Sequence, residues 1–214
     1  ALVVCTLAVV GLLAPRASGQ TFTWNGTADG SWSDASNPGP WVGGLVPVSG
    51  PGTIVQFNAN GAVTYSATND LSDNPFILNQ LNFNTTSSGL VTINNFNPFG
   101  FGGTNPGINM TGTGSVLIQN LSAGFVFDTT TPFNIGGTGT GTLTIGGDTD
   151  NPVLSGAGNV NVNFATVGNA TTPNLRIGNL AAAVGWNGSL NIQSGYVMAN
   201  RPGGDAIGSS TIIS

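Results

Sequence analysis

The stretch Asn159-Val-Asn-Val-Asn-Phe164 alternates an amide side chain with an apolar one. Because successive side chains of a β-strand point to opposite faces of a sheet, this alternation predicts a strand with one buried face. Runs with the same period of two recur along the chain, each bounded by Gly, Asn, Asp or Pro. Many short strands at nearly regular spacing are typical of an all-β protein. The other predicted strands are residues 53–57, 62–65, 77–83, 90–93, 115–118, 125–127, 142–145, 175–177, 189–192 and 196–198.

The composition is poor in charge and rich in glycine and asparagine. Only 5% of the 214 residues are charged, where an ordinary soluble domain has about 25%. The chain contains 34 Gly, 12 Pro and 26 Asn, and both Gly and Pro disfavour long helices. Because 39% of the residues are hydrophobic, the chain has enough apolar material to fold around a core.

The polar faces of the predicted strands favour a solenoid over a sandwich or a barrel. Sandwiches and barrels usually expose many charges, whereas stacked coils place like residues above one another, where Asn ladders are favourable and like charges repel. A Gly-rich phrase ending in alternating apolar residues also recurs with uneven gaps, at residues 112–118, 139–145 and 185–192. Such recurrence indicates similar coils joined by loops of variable length. We therefore predict a β-solenoid, with a β-sandwich as the alternative.

The ends of the chain predict its domain organisation. Residues 1–14 are continuously apolar apart from Thr6 and Gly11, and small residues precede Gln20, which is typical of a secretory signal peptide. The run is shorter than the roughly 20 residues that span a bilayer as a helix. We expect a signal peptide at 1–19 that is incomplete at its start, an N-terminal aromatic cap segment at 20–52, and solenoid repeats at 53–214 that are truncated at the C-terminus. Cleavage after Gly19 would remove Cys5, the only cysteine.

Two stretches resemble a known family. The opening Thr21-Phe-Thr-Trp-Asn-Gly-Thr-Ala-Asp-Gly-Ser-Trp-Ser-Asp-Ala-Ser-Asn37, followed by Trp41-Val-Gly-Gly-Leu-Val-Pro47 and Gly52-Thr-Ile-Val-Gln-Phe57, resembles the start of autotransporter-associated beta strand repeat proteins. Asn187-Gly-Ser-Leu-Asn-Ile-Gln-Ser-Gly-Tyr-Val-Met198 is similar to the repeat itself. Members are large surface or secreted proteins of planctomycete-like bacteria. The resemblance implies a right-handed parallel β-helix passenger outside the cell, although here Pro38-Gly-Pro40 separates an Asn and a Trp that the family joins.

Three tryptophans near the start form the candidate ligand-binding site. Trp24, Trp32 and Trp41 stand close in sequence, and flat aromatic rings bury the faces of sugars at low entropic cost. The alternative is that these side chains close the first coil of the stack, since the terminal repeat of a solenoid must cover its own core. We favour the cap, because the cluster lies where a solenoid begins.

Aspartates and arginines supply the remaining candidates. Asp148 with Asp150, and Asp70 with Asp73, carry oxygen ligands that suit calcium, but aspartates more often cap turns. The sharpest enzymatic hypothesis is a polysaccharide lyase, because β-helix lyases pair calcium-binding aspartates with an arginine base. The arginines available to it after the predicted signal peptide are Arg176 and Arg201.

The missing residue types exclude much of enzyme chemistry. Without His, Lys or Glu, the chain cannot build a Ser-His-Asp relay, a Schiff base or a P-loop. Its net charge of -5 argues against binding to nucleic acid or to an anionic membrane surface. We therefore expect a non-catalytic structural or adhesive protein, exported to the cell surface or secreted, with no cofactor and with glycans or surface proteins as partners. A carbohydrate-binding module and a lyase are the alternatives.

Overall fold

The computed structural model of the chain describes residues 19–58, 60–86, 88–120, 131–146, 157–177, 188–199 and 212–213. Within these ranges the regular secondary structure is β-strand, apart from one 3-10 turn at Val42–Gly44, and there is no α-helix. The strands are β1 (Thr21–Trp24), β2 (Gly30–Ser31), β3 (Ile54–Phe57), β4 (Tyr65–Asn69), β5 (Phe76–Leu78), β6 (Gln80–Phe83), β7 (Leu90–Asn95), β8 (Phe99–Phe101), β9 (Gly107–Met110), β10 (Ser115–Asn120), β11 (Phe133–Gly137), β12 (Leu143–Ile145), β13 (Val160–Phe164), β14 (Leu175–Ile177), β15 (Leu190–Ser194), β16 (Val197–Ala199) and β17 (Ile212–Ile213).

The strands form two long parallel sheets around one core. The eight-stranded sheet has the order β1-β3-β6-β9-β11-β13-β15-β17, and the seven-stranded sheet has the order β16-β14-β12-β10-β7-β4-β2. A small third sheet pairs β5 with β8. Successive strands of the chain alternate between the two long sheets, and each return to a sheet adds the next parallel strand. This is a parallel β-solenoid, which confirms the predicted fold class. The sandwich alternative is wrong, because it requires antiparallel sheets.

The coils have a regular length in the middle of the described chain. Gln80 pairs with Gly107, Gly107 with Asn134, and Asn134 with Asn161. Each pair is separated by 27 residues in the sequence. The step from Thr21 to Ile54 is longer and contains the 3-10 turn. The coil length is therefore constant at the centre, and the longer loop of the first coil makes this repeat difficult to recognise in the sequence.

The recurring Gly-rich phrases are only partly equivalent. Residues 112–118 and 139–145 lead into β10 and β12, which pair in the seven-stranded sheet, and Thr140 N donates to Gly112 O at 3.2 Å. The third phrase leads into β15, which belongs to the eight-stranded sheet. A similar local sequence therefore precedes strands on both sheets.

Apolar side chains from one coil lie directly above those of the next. In the eight-stranded sheet, Val55, Leu81, Ile108, Ile135 and Val162 form one such column, and each is no more than 2% exposed. Full burial of one aliphatic side chain stabilises a fold by about 1.5–3 kcal/mol. Packing between neighbouring coils therefore supplies the main stabilisation, as in other repeat architectures.

Amide ladders join the same coils, as the composition predicts. On the outer face, Asn161 Nδ2 donates to Asn134 Oδ1 at 3.3 Å, and Asn191 Nδ2 donates to Asn161 Oδ1 at 3.4 Å. A second ladder is buried: Asn69 Nδ2 donates to Asn95 Oδ1 at 2.7 Å. Because buried amides are costly without partners, this pair also favours the native register.

Two of the predicted strand positions need correction. The strand expected at residues 62–65 lies instead at β4, and the run 77–83 divides at Asn79 into β5 and β6, which belong to different sheets. The strand expected at 125–127 lies outside the described residues, as do residues 1–18 of the predicted signal peptide. Strands β1, β2, β8, β9 and β11 were not predicted. The segment expected to be a cap, 20–52, itself contributes β1 and β2 to the two long sheets.

Candidate functional site

A shallow groove of about 310 Å³ lies on the outer face of the eight-stranded sheet. It crosses β6, β9, β11, β13 and β15, and two glycines interrupt its rows of amide side chains. Gly107 pairs with Gln80 on one side and with Asn134 on the other. Gly136 pairs with Asn109 and Asn163 in the same way. We call the lining side chains the amide groove: Gln80, Asn105, Asn109, Asn134, Asn163 and Gln193.

Most of the groove amides are exposed, and four of the six side chains have no hydrogen-bond partner among the described residues. Asn134 is held in the outer ladder, and Gln80 Nε2 donates to Asn105 O at 3.3 Å. The side chains without a hydrogen bond in the described part of the chain, all of them exposed, are those of Asn105, Asn109, Asn163 and Gln193. Each of them offers an NH2 donor and a carbonyl acceptor to solvent.

The floor of the groove is formed by backbone and by buried residues. Pro106, Ile108 and Ile135 are buried, so the groove offers a ligand little apolar side chain. A Cβ atom built on Gly107 would lie 2.5 Å from Asn134 O, and one on Gly136 would overlap Asn163 O. The glycines are therefore required by the close approach of neighbouring coils, and the depression between the amides follows from them.

The groove carries no formal charge. None of its described lining residues is ionisable, and the lining contains no aromatic side chain. An ionic ligand would find no counter-charge there, and exposed amides bind best to groups that both donate and accept hydrogen bonds. The chemistry that this surface offers is hydrogen bonding to neutral polar molecules.

The three candidate tryptophans lie in the core. Trp24 and Trp32 are 0% exposed and Trp41 is 2% exposed. Trp41 packs edge-on against both other indoles, at centroid distances of 4.9 Å and 5.7 Å, and its Nε1 donates to Trp32 O at 2.9 Å. A sugar platform requires an open aromatic face, and none of these rings has one. Their position at the first coil is the one that the cap interpretation requires.

The same cluster buries polar atoms without partners. Trp24 Nε1, Trp32 Nε1 and Tyr65 OH make no hydrogen bond among the described residues. Tyr65 lies parallel to Trp24 at a centroid distance of 6.2 Å, and burial raises the pKa of its phenol. These side chains contribute apolar area to the first coils rather than polar contacts.

The described aspartates act mainly as hydrogen-bond acceptors for backbone groups. Asp70 accepts from Ser33 N at 2.9 Å and from Ser33 Oγ at 2.6 Å, and Asp29 accepts from Ser66 N at 2.7 Å. Since these partners are 37 residues apart, the two carboxylates join the first coil to the second rather than closing local turns.

The other acidic candidates do not form a metal site within the described chain. Asp73 is exposed and makes no such contact, and the described residues contain no group of three or more potential metal ligands. Hydrogen bonds from the side chain and backbone of Ser36 lower the pKa of Asp34. Asp148 and Asp150 lie outside the described residues.

We expect Asp70→Ala to lower the free energy of unfolding by about 1–2 kcal/mol, because it removes two hydrogen bonds to a charged group at an exposed site. Urea denaturation followed by circular dichroism measures the change. Asp73→Ala is the matched control and is expected to have little effect. Equal stability of the two variants would show that the contact between the first coils contributes nothing.

One of the two candidate arginines lies among the described residues. Arg176 lies on β14, where its register partners are Thr144 and Met198. Arg201 lies outside the described residues.

Comparison with protein-family models, with curated proteins and with solved structures found no match to this chain. No helix among the described residues is long and apolar enough to cross a membrane.

Sequence reasoning missed the amide groove. The signal that would have found it is the constant step of 27 residues, which aligns Gln80-Leu-Asn-Phe83, Gly107-Ile-Asn-Met110, Asn134-Ile-Gly-Gly137 and Asn161-Val-Asn-Phe164. In that alignment the outward positions are amides except at Gly107 and Gly136. Because glycine has no side chain, a glycine in each of two adjacent rows of amide side chains predicts a depression in the outer surface of the sheet.

Proposed function

We propose that the chain is part of an exported, non-catalytic β-solenoid that serves as a structural or adhesive element at the cell surface or outside the cell. The observation that carries this proposal is the stack of coils itself, in which packing and amide ladders continue from one coil to the next. Such a stack makes a stiff support whose sides present repeated polar groups. The apolar run at residues 1–14 and the family resemblance support export.

Export is tested by producing the 214-residue chain behind an initiator Met and a short basic segment, which complete the predicted signal peptide, in a bacterium that has a general secretion pathway. We expect the protein outside the cytoplasm with an N-terminus at Gln20, as measured by fractionation and mass spectrometry. The matched control is Leu12→Arg, which interrupts the apolar run and is expected to retain the protein in the cytoplasm. An uncleaved, cytoplasmic wild-type chain would contradict the proposal.

Stability without metal or disulfide is a second expectation. The contacts between described coils are hydrogen bonds and apolar packing, and the segment after Gly19 has no cysteine. We therefore expect EDTA and reductant to leave the melting temperature unchanged within error, as measured by differential scanning calorimetry. A large drop with EDTA, restored by calcium, would overturn this expectation and assign calcium to Asp148 and Asp150.

The amide groove favours a carbohydrate-binding module as the second candidate function. Its side chains suit polyhydroxylated ligands, and it lies on the regular outer face of the stack. The lyase alternative predicts unsaturated sugar products that disappear in Arg176→Ala. A ligand-binding protein retains a saccharide without releasing such products, so ultraviolet absorbance of the reaction mixture separates the two.

A further inference from the structure

We propose that the amide groove binds a neutral oligosaccharide. This inference rests on the extracellular role proposed above and names the site and the class of ligand for it. The first ground is its shape: a depression of about 310 Å³, at the lower end of the range for small-molecule sites, bordered by side chains from five coils.

The second ground is the pairing of donors and acceptors. An amide side chain presents an NH2 donor beside a carbonyl acceptor, and neighbouring hydroxyl groups of a sugar present the complementary arrangement. Asn109 and Asn163 offer both groups to solvent, with no partner among the described residues. They flank Gly136, so a ligand over that glycine reaches both amides.

The third ground is the regular spacing of the amide side chains from one coil to the next. Neighbouring strands of a sheet lie about 4.8 Å apart, which is close to the length of one pyranose unit in an extended chain. The amide rows run from coil to coil, so an extended oligosaccharide crossing the strands meets an amide group at each coil. Gly107 and Gly136 leave room for its rings.

The same observations disfavour other ligands. An anionic or cationic chain finds no opposite charge among the described lining residues. An added peptide strand needs an unpaired sheet edge, but β9 and β11 are paired with strands on both sides. An apolar protein partner needs exposed apolar side chains, whereas Ile108 and Ile135 are buried.

Nuclear magnetic resonance titration of the purified chain tests the proposal. The probes are cellohexaose, maltohexaose and chitohexaose, with oligogalacturonate of similar length as the charged comparison. At least one neutral probe is expected to shift the side-chain amide signals of the groove, and the charged probe is expected not to. The signal of Asn84, an exposed amide outside the groove, is expected to stay in place.

Variants test the assigned residues. Asn109→Ala combined with Asn163→Ala is expected to weaken binding by about tenfold or more, the loss expected for two hydrogen bonds. Because neither side chain has a partner in the described chain, the fold is expected to remain, and circular dichroism checks this. Asn84→Ala is the matched control and is expected to bind as the wild type does.

Several results would overturn the inference. These are failure of every neutral probe to bind, binding that survives in the double variant, or equal binding of oligogalacturonate. Self-association of the wild type that the double variant abolishes, without saccharide binding, would assign the groove to a second copy of the chain. The titration uses purified protein and does not depend on export, so failure here leaves the proposed function standing, and failure of export leaves the groove result intact.

Discussion

Trp32→Ala is expected to lower the free energy of unfolding by about 3–5 kcal/mol, the usual cost of truncating a large buried aromatic. Trp32 is 0% exposed, and the loss of its indole leaves a cavity that surrounding rings cannot fill. For a domain of this size, the change corresponds to a fall in melting temperature of about 6–20 °C. The rings around it, with their centroid distances, are Trp41 at 5.7 Å, Phe57 at 6.1 Å, Phe76 at 5.6 Å and Phe99 at 5.7 Å.

The control is Phe96→Ala, since Phe96 is 47% exposed and its truncation is expected to have a much smaller effect. Thermal unfolding followed by circular dichroism compares the two variants. If Trp32→Ala abolished retention on a glycan resin while unfolding at the wild-type temperature, the indole would be a ligand contact rather than a cap. Loss of stability is the outcome that its burial predicts.

Gly112→Ala is expected to lower the free energy of unfolding by about 3 kcal/mol, the upper part of the usual range for overpacking. A Cβ atom at this position would lie 2.5 Å from both the backbone nitrogen and the carbonyl carbon of Thr85 in the preceding coil. Gly112 also accepts a hydrogen bond from Thr140 N in the following coil, so the turn cannot move without disturbing both neighbours.

Gly50→Ala provides the matched control, because the nearest atom to its added Cβ is Thr53 Oγ1 at 3.7 Å. This variant is expected to be neutral or slightly stabilising, since alanine reduces the entropy of the unfolded chain. Urea denaturation of both variants gives the comparison. Equal urea midpoints for Gly112→Ala and Gly50→Ala would mean that neighbouring coils are not in close contact at Gly112.

The strands that the sequence predicted are those whose alternation is uninterrupted. Val160–Phe164, Leu175–Ile177 and Ser115–Asn120 are local patterns, and burial of alternate residues follows from strand geometry alone. Strands β9 and β11 were not predicted from the sequence, because Gly107, Gly136 and Gly137 occupy strand positions where glycine usually indicates a turn. Close approach between coils explains those glycines, and it is not visible in a single coil.

The candidate site was less predictable than the fold. The sequence identified the aromatic residues as a cluster, but only the tertiary structure shows that Trp24, Trp32 and Trp41 are buried. The contact of Asp70 with Ser33 spans 37 residues, a distance set by the length of the first coil. Asp70 was expected to cap a local turn, and the structure instead shows that it joins two coils.

The sequence by itself determined that this chain is an all-β protein with nearly uncharged outer faces, because side-chain alternation and composition are local properties. It also pointed to stacking, since small amides tolerate being placed above one another. The tertiary structure alone decided which strands share a sheet and which amides surround Gly107 and Gly136. The physical reason is register: it depends on loop lengths and on how closely the coils pack, and both act between residues that are about one coil apart.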